Sequence, residues 1–195
     1  MEIVQAIPED SKDIALIHYN NFKNAFLCDL GLNFLKLLYK WLITSDNGFG
    51  FIIKDNGCIC GFITGVYDSS SIISLFIKKN FLKVFPILIT ACLKKPKNIT
   101  KIFETIFYIK KSDINIKAEL LSIAIENNKR GKGISKILFS HFAEYLKKQG
   151  INSFKITVDK ENIVANNFYI KCGCELIKTY KIYGKFSNVY SFIIK

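Results

Sequence analysis

Three groups of residues have the types and spacing to carry chemistry. Arg130-Gly131-Lys132-Gly133-Ile134-Ser135 follows an apolar run from Ala118 to Ile125 and leads straight into an amphipathic stretch. A strand that turns through glycines into a helix presents bare backbone N–H groups at the positive end of a helix dipole, which is a phosphate-binding geometry. The same residues also read as an ordinary strand-to-helix turn that binds nothing. They match neither the Walker A loop nor the G-x-G-x-x-G dinucleotide fingerprint. A second group, Asn162, Ala165, Phe168, Tyr169, Lys171 and Gly173, follows the next apolar strand. Its Tyr169 is a phenol able to give up a proton or, beside Phe168, an aromatic on a helix core face. The third is Glu119, at the start of the apolar run. Alternation places Glu119, Leu121, Ile123 and Ile125 on one face. Burial there would raise the carboxyl pKa toward that of a base working near neutral pH, whereas an exposed strand edge would leave it a solubilising charge.

These residues need elements to hold them, and the chain supplies an alternating series. A short strand at 2–7 precedes a Pro8-Glu9-Asp10-Ser11 helix start, and Phe34, Leu35, Leu37, Leu38 and Trp41 recur at helical spacing after Gly31. The period then changes to a hairpin, 50–54 and 58–67, about the turn Asp55-Asn56-Gly57. Residues 69–112 read as a helical insertion interrupted at Lys94-Lys95-Pro96, with one apolar face at Leu75, Phe76, Phe81, Leu82, Phe85, Leu88 and Ile89 and another at Ile102, Phe103, Ile106, Phe107 and Ile109. A strand at 117–125, a helix at 133–149, a strand at 153–158, a helix at 163–171 and two strands within 174–195 complete the pattern. Alternating strands and helices predict an α/β fold with a mixed sheet in a single domain, 1–195.

Composition narrows the function. The chain has 195 residues, half of them hydrophobic, which excludes disorder as the dominant state. Its net charge of +12 rests on 28 cations, of which Arg130 is the only arginine. Lysines spread this evenly reflect residue usage, and nucleic-acid surfaces lean on arginine, so no nucleic-acid partner is expected. The six cysteines, Cys28, Cys58, Cys60, Cys92, Cys172 and Cys174, form no C-x-x-C, and neither His18 nor His141 lies near one, so no metal is expected. Absence of a secretory leader and of a twenty-residue apolar stretch predicts a cytoplasmic protein with reduced thiols and no membrane span.

Taken in order, the glycine turn and the Asn162–Gly173 motif resemble the GNAT superfamily of acetyl-CoA-dependent N-acetyltransferases. R-x-x-G-x-G/A matches Arg130, Gly133 and Ser135, and N-x-x-A-x-x-F/L-Y-x-K-x-G-F matches the stretch from Asn162 to Cys174. Ser135 stands where the family has Gly or Ala, and Cys174 where it has Phe. The resemblance covers 115–180, and the whole chain if 69–112 is an insertion. It implies a mostly antiparallel central sheet flanked by helices, acetyl-CoA as cosubstrate, and Ile123, Ala124 and Ile125 along its pantetheine arm. It places the pyrophosphate on the backbone of Arg130, Gly131, Lys132, Gly133, Ile134 and Ser135, and Asn162 near the cofactor. Tyr169 matches the general acid and Glu119 the general base of the histone-type members, with Glu126 or an ordered water as alternatives. Thr157 stands where ribosomal-protein N-terminal acetyltransferases carry a strand glutamate. The implied reaction is acetyl transfer to a primary amine of a small molecule such as a nucleotide-linked amino sugar, met by a basic rim of insertion lysines. The alternatives are a protein N-terminal or lysine acetyltransferase and a non-catalytic acyl-CoA-binding module. The insertion's apolar face alternatively serves a homodimer contact.

Overall fold

The computed structural model describes residues 1–23, 25–98, 100–101, 114–182 and 184–195. A seven-stranded sheet runs through it in the order β1-β2-β3-β4-β5-β7-β6, where β1 is Glu2–Gln5, β2 Gly48–Asp55, β3 Cys58–Val66, β4 Glu119–Ile125, β5 Ser153–Asp159, β6 Glu175–Ile182 and β7 Lys185–Ile193. Every neighbouring pair is antiparallel except β4 and β5. The fold is therefore α/β with a mixed, mostly antiparallel sheet.

Helices α1 (Ser11–Asn21), α2 (Phe26–Asp29), α3 (Leu32–Thr44) and α4 (Ile72–Lys94) cover one face; α5 (Ile134–Lys148) and α6 (Ile163–Lys171) cover the other. Each face buries its own apolar layer. Ile14, Leu35, Leu42, Ile52 and Phe62 are sealed on the first, and Ile63, Leu138, Phe142, Phe154 and Ile156 on the second. Gly65 on β3 explains how closely α5 approaches: a Cβ there would stand 2.5 Å from the Phe142 ring.

The β2–β3 hairpin turns through Asn56 and Gly57, both at positive φ, as the Asn-Gly pair requires. In α4 the helical reading of the first half of the insertion holds up to Lys94; the helix contains Pro86 but bends earlier, at Asn80, which has φ −120° and ψ 17°. Phe76 on this helix packs against Phe34 and Trp41 of α3. The second apolar face, Ile102 to Ile109, lies outside the described residues.

Candidate active site

A break in the sheet creates the site. Strands β4 and β5 pair only at Glu119 with Lys155 and Leu120 with Ile156. From Ser122 to Ile125, β4 keeps its β3 partners but has none on the β5 side, so a slot with a free backbone edge opens toward the β4 C-terminus. A strand edge of this kind can take an extended ligand as an added strand.

At the slot's open end the chain folds as the glycines dictate. Gly131 and Gly133 sit at φ +78° and +75°, and nothing lies within 4 Å of where their Cβ atoms would be. Gly133 is the N-cap of α5, which has no side-chain cap. The first-turn amides therefore remain available to an anion. Ile134 anchors the turn by burying its side chain, while Lys132 is exposed and Ser135 half-buried. Lys129 ties the loop to β2 through a 2.8 Å ion pair with Asp55. Arg130 donates from Nε to the Ile125 carbonyl at 3.4 Å and from its guanidinium end to Asn21 Oδ1 at the end of α1.

At the closed end stands Glu119. Its side chain is 16% exposed, its Oε1 accepts from Thr157 Oγ1 at 3.0 Å, and Lys155 Nζ lies 3.9 Å from Oε2. Burial raises its pKa above the ordinary glutamate value, against the pull of Lys155, Ser69 and Thr157. Glu119, Lys155 and Thr157 line a cavity of about 100 Å³ with Ser69 and Val189. Glu119 is thus a half-buried, hydrogen-bonded carboxyl. Glu126 sits at the other end of β4, beside the loop, its N–H bonded to the Cys60 carbonyl.

One sequence expectation is corrected. Glu119, Leu121, Ile123 and Ile125 do not share a face, because the register slips between Thr64 and Gly65: Gly65 pairs with Leu120, but Thr64 pairs with Ser122. Leu121 is the extra residue of a β-bulge, and parity inverts beyond it. Leu121 and Ala124 consequently face α1 and α3, whereas Ile123 and Ile125 join the layer under α5.

Tyr169 is 4% exposed, in that α5-side layer, against Phe139, Phe168 and Tyr190. Burial first, then the nearby Cys174 and Cys172, pushes its pKa well above the usual tyrosine value, so it stays protonated. Leu120 and Ile156 belong to the same layer as Tyr169. Alternation sends Glu119 to the opposite face. Carboxyl and phenol thus lie on opposite sides of the sheet.

The sequence comparison agrees with this geometry. Residues 98–174 match the model of the acetyltransferase (GNAT) family. That segment of the chain, which holds the glycine turn and the Asn162–Gly173 stretch, is similar to the GNAT family. Acyl transfer is the chemistry of that family. No curated protein matches the chain. Among solved structures, an N-acetyltransferase from Staphylococcus aureus has a TM-score of 0.62 at 17% identity, covering 98% of this chain and 100% of its own. A ribosomal-protein-alanine N-acetyltransferase from Brucella melitensis has 0.64 at 13%, covering 99% of each. A Bacillus anthracis protein described as a streptothricin acetyltransferase, solved in complex with acetyl coenzyme A, has 0.51 at 14%, covering 77% of this chain and 65% of its own. At these identities the likeness is one of fold.

Other residues of the Asn162–Gly173 stretch hold the architecture. Asn162 caps α6, its Oδ1 accepting from the Ala165 N–H at 3.1 Å. Asn166, which the sequence reading passed over, is the buried hub. Its Nδ2 donates to the carbonyls of Asp159 at 2.9 Å and Asn162 at 2.7 Å, and its Oδ1 accepts from Asn188 Nδ2 and Tyr190 Oη. These bonds fix α6, and with it Tyr169, onto β7. Repetition of Asn at 162, 166 and 167 was the available signal, because a helix rarely favours asparagine without a partner for it.

His18 is also structural in location. It is 4% exposed, its Nδ1 lies 2.5 Å from Tyr39 Oη, and burial lowers its pKa to about 4. Cys174 is buried, with its thiol pushed up to about 12, and burial raises Cys172 as well, so neither is an activated nucleophile. Among the described residues no group of three or more His, Cys, Asp or Glu could hold a metal ion, and no helix is long and apolar enough to cross a membrane.

Proposed function

We propose that this protein transfers the acetyl group of acetyl-CoA to the primary amine of a small molecule, by direct attack within a ternary complex. The observation that carries the reading is the slot between β4 and β5: bare helix-terminal amides stand at its open end and a half-buried carboxyl at its closed end. The pyrophosphate is held by the backbone of Arg130 to Ser135, with charge added by Arg130 and Lys132. The pantetheine arm pairs with the free edge of β4 along Ile123, Ala124 and Ile125. That brings the thioester to the closed end, near the bulge.

The chemistry then follows from where the ionisable groups sit. The amine must arrive neutral, and Glu119, whose raised pKa leaves it a usable base near neutrality, takes its proton directly or through one water. The nitrogen lone pair forms the new C–N bond at the thioester carbon while the C–S bond breaks. Tyr169, on the other side of the sheet, gives its proton to the departing thiolate. The products are an N-acetyl amine and CoA thiol. Because base and acid work on opposite faces, neither neutralises the other.

Release of CoA thiol tests this reading on an amine panel. We expect turnover on small amines above that on peptides and a drop of about 10²-fold or more in kcat for Tyr169→Phe with acetyl-CoA affinity retained. Full turnover by Tyr169→Phe would remove the acid role, and CoA binding without turnover on any amine would make the domain a binding module.

A further inference from the structure

Beside the bulge, on the face of the sheet that Glu119 shares, a second cavity of about 220 Å³ lies between α2, α3, α4 and the strands β3 and β4. Its wall is apolar, with Phe26, Phe34, Leu38 and Leu88 among its residues, and among the described residues no lysine, arginine or carboxylate lines it. Protein interiors rarely keep voids larger than a water molecule. This one exceeds the roughly 150 Å³ that holds a benzene molecule, so a six-membered ring with a short arm fits.

Its floor is different in kind. Leu121 and Ser122, the bulged residues of β4, and Thr64 of β3 form it. The Thr64 side chain is fully buried, and its hydroxyl has no hydrogen-bond partner among the described residues. Leaving a buried hydroxyl unpaired is costly, which points to a ligand group that completes it. Ser122 is held in place, since it bonds to Tyr39, which in turn meets His18 Nδ1 at 2.5 Å.

We infer that this cavity is the acceptor subsite and that it takes a primary amine on an apolar aryl or alkyl body, the body filling the cavity and the amine N–H donating to Thr64 Oγ1. The inference rests on the acetyl-transfer reading above. An acyl chain longer than acetyl would fill the same volume but leave the Thr64 hydroxyl unpaired, so the amine is the better occupant. A nucleotide-linked sugar would bring a diphosphate to a wall without a cation. Of the rim lysines, Lys95 and Lys101 pair with Asp29 at 2.6 and 3.1 Å.

Phenylethylamine and glucosamine, compared as acceptors with the full chain and acetyl-CoA, test the assignment. We expect kcat/KM for phenylethylamine to exceed that for glucosamine by at least about tenfold. Leu88→Trp, which fills the cavity, should raise KM for phenylethylamine about tenfold or more without changing that for acetyl-CoA. Thr64→Val, which keeps shape and removes the hydroxyl, should lower phenylethylamine affinity about tenfold while leaving the protein folded and at least as heat-stable. Equal use of the two amines, or a Leu88→Trp effect confined to acyl-CoAs longer than acetyl, would overturn the assignment while leaving acetyl transfer intact. Calorimetric binding of phenylethylamine that both variants weaken, with no turnover on any amine, would uphold the subsite and remove the acetyl-transfer reading.

Discussion

Replacing Glu119 by Gln separates its catalytic role from its cost to the fold. The side chain is half-buried, with the hydroxyls of Thr157 and Ser69 beside it and a lysine 3.9 Å away, and its carboxyl is harder to ionise than in water. A general base of this kind is worth about 10² to 10⁴ in rate, so kcat for Glu119→Gln should fall within that range. Wild-type kcat/KM should rise with pH through the raised pKa and then level off. Thr157→Val sharpens the test. The Thr157 hydroxyl bonds the charged form at 3.0 Å, and a hydrogen bond to a charged group contributes about 1.5–3 kcal/mol. Removing it should move the acid limb upward by about one to two pH units. Stability should move the other way from activity. A carboxyl whose folded pKa lies above its unfolded value binds more protons in the folded state, so stability falls as pH rises from the unfolded pKa through the folded one. Glu119→Gln should therefore match or exceed wild type in Tm at pH 7 and lose that advantage at pH 4. The assay is a pH series of thiol release with thermal melts on the same samples. Full turnover by Glu119→Gln, or an acid limb unmoved in Thr157→Val, would refute the base assignment and leave the proton to Glu126 or to water.

Arg130→Lys should weaken acetyl-CoA binding about five- to tenfold with no loss of fold, because one ammonium cannot span both the Ile125 carbonyl and Asn21 as the guanidinium does; unchanged affinity in calorimetry would return Arg130 to the general surface. Asn166→Leu strands the donors of Asn188 and Tyr190 and should cost about 2–5 kcal/mol in urea unfolding. A loss under 1 kcal/mol would show that α6 does not depend on this hub. For His18 the depressed folded pKa of about 4 means that the unfolded chain takes up the proton first. Stability should then fall by about 2 kcal/mol between pH 7.5 and pH 5, and His18→Gln should flatten that slope; parallel curves for the two proteins would exclude His18 as its source.

Local order was legible in the chain wherever a local rule governs it. The Asn56-Gly57 turn follows from the positive φ that both residues tolerate, and α6 spans Ile163–Lys171 as the spacing predicts, between the Asn162 cap and Gly173. The glycine turn before α5 was readable for the same reason. What failed was inference that counts residues across a register slip. A single extra residue at Leu121 sends Ile123 and Ile125 to the other face, and its cause lies on β3, where Gly65 and Thr64 pair with β4 out of step.

Sequence by itself determined the chemistry available: a glycine turn with the chain's one arginine at its start, a carboxyl on an apolar strand, and a tyrosine in a helix motif. Tertiary structure alone decided where each acts. It set Glu119 and Tyr169 on opposite faces of a sheet split between β4 and β5, paired His18 with Tyr39 across 21 positions, and left an apolar cavity over a Thr64 hydroxyl unpaired among the described residues. These features are made by strand pairing and helix packing between distant segments. Periodicity along a chain reports which side of an element is apolar, but it carries no record of what the opposite wall will be.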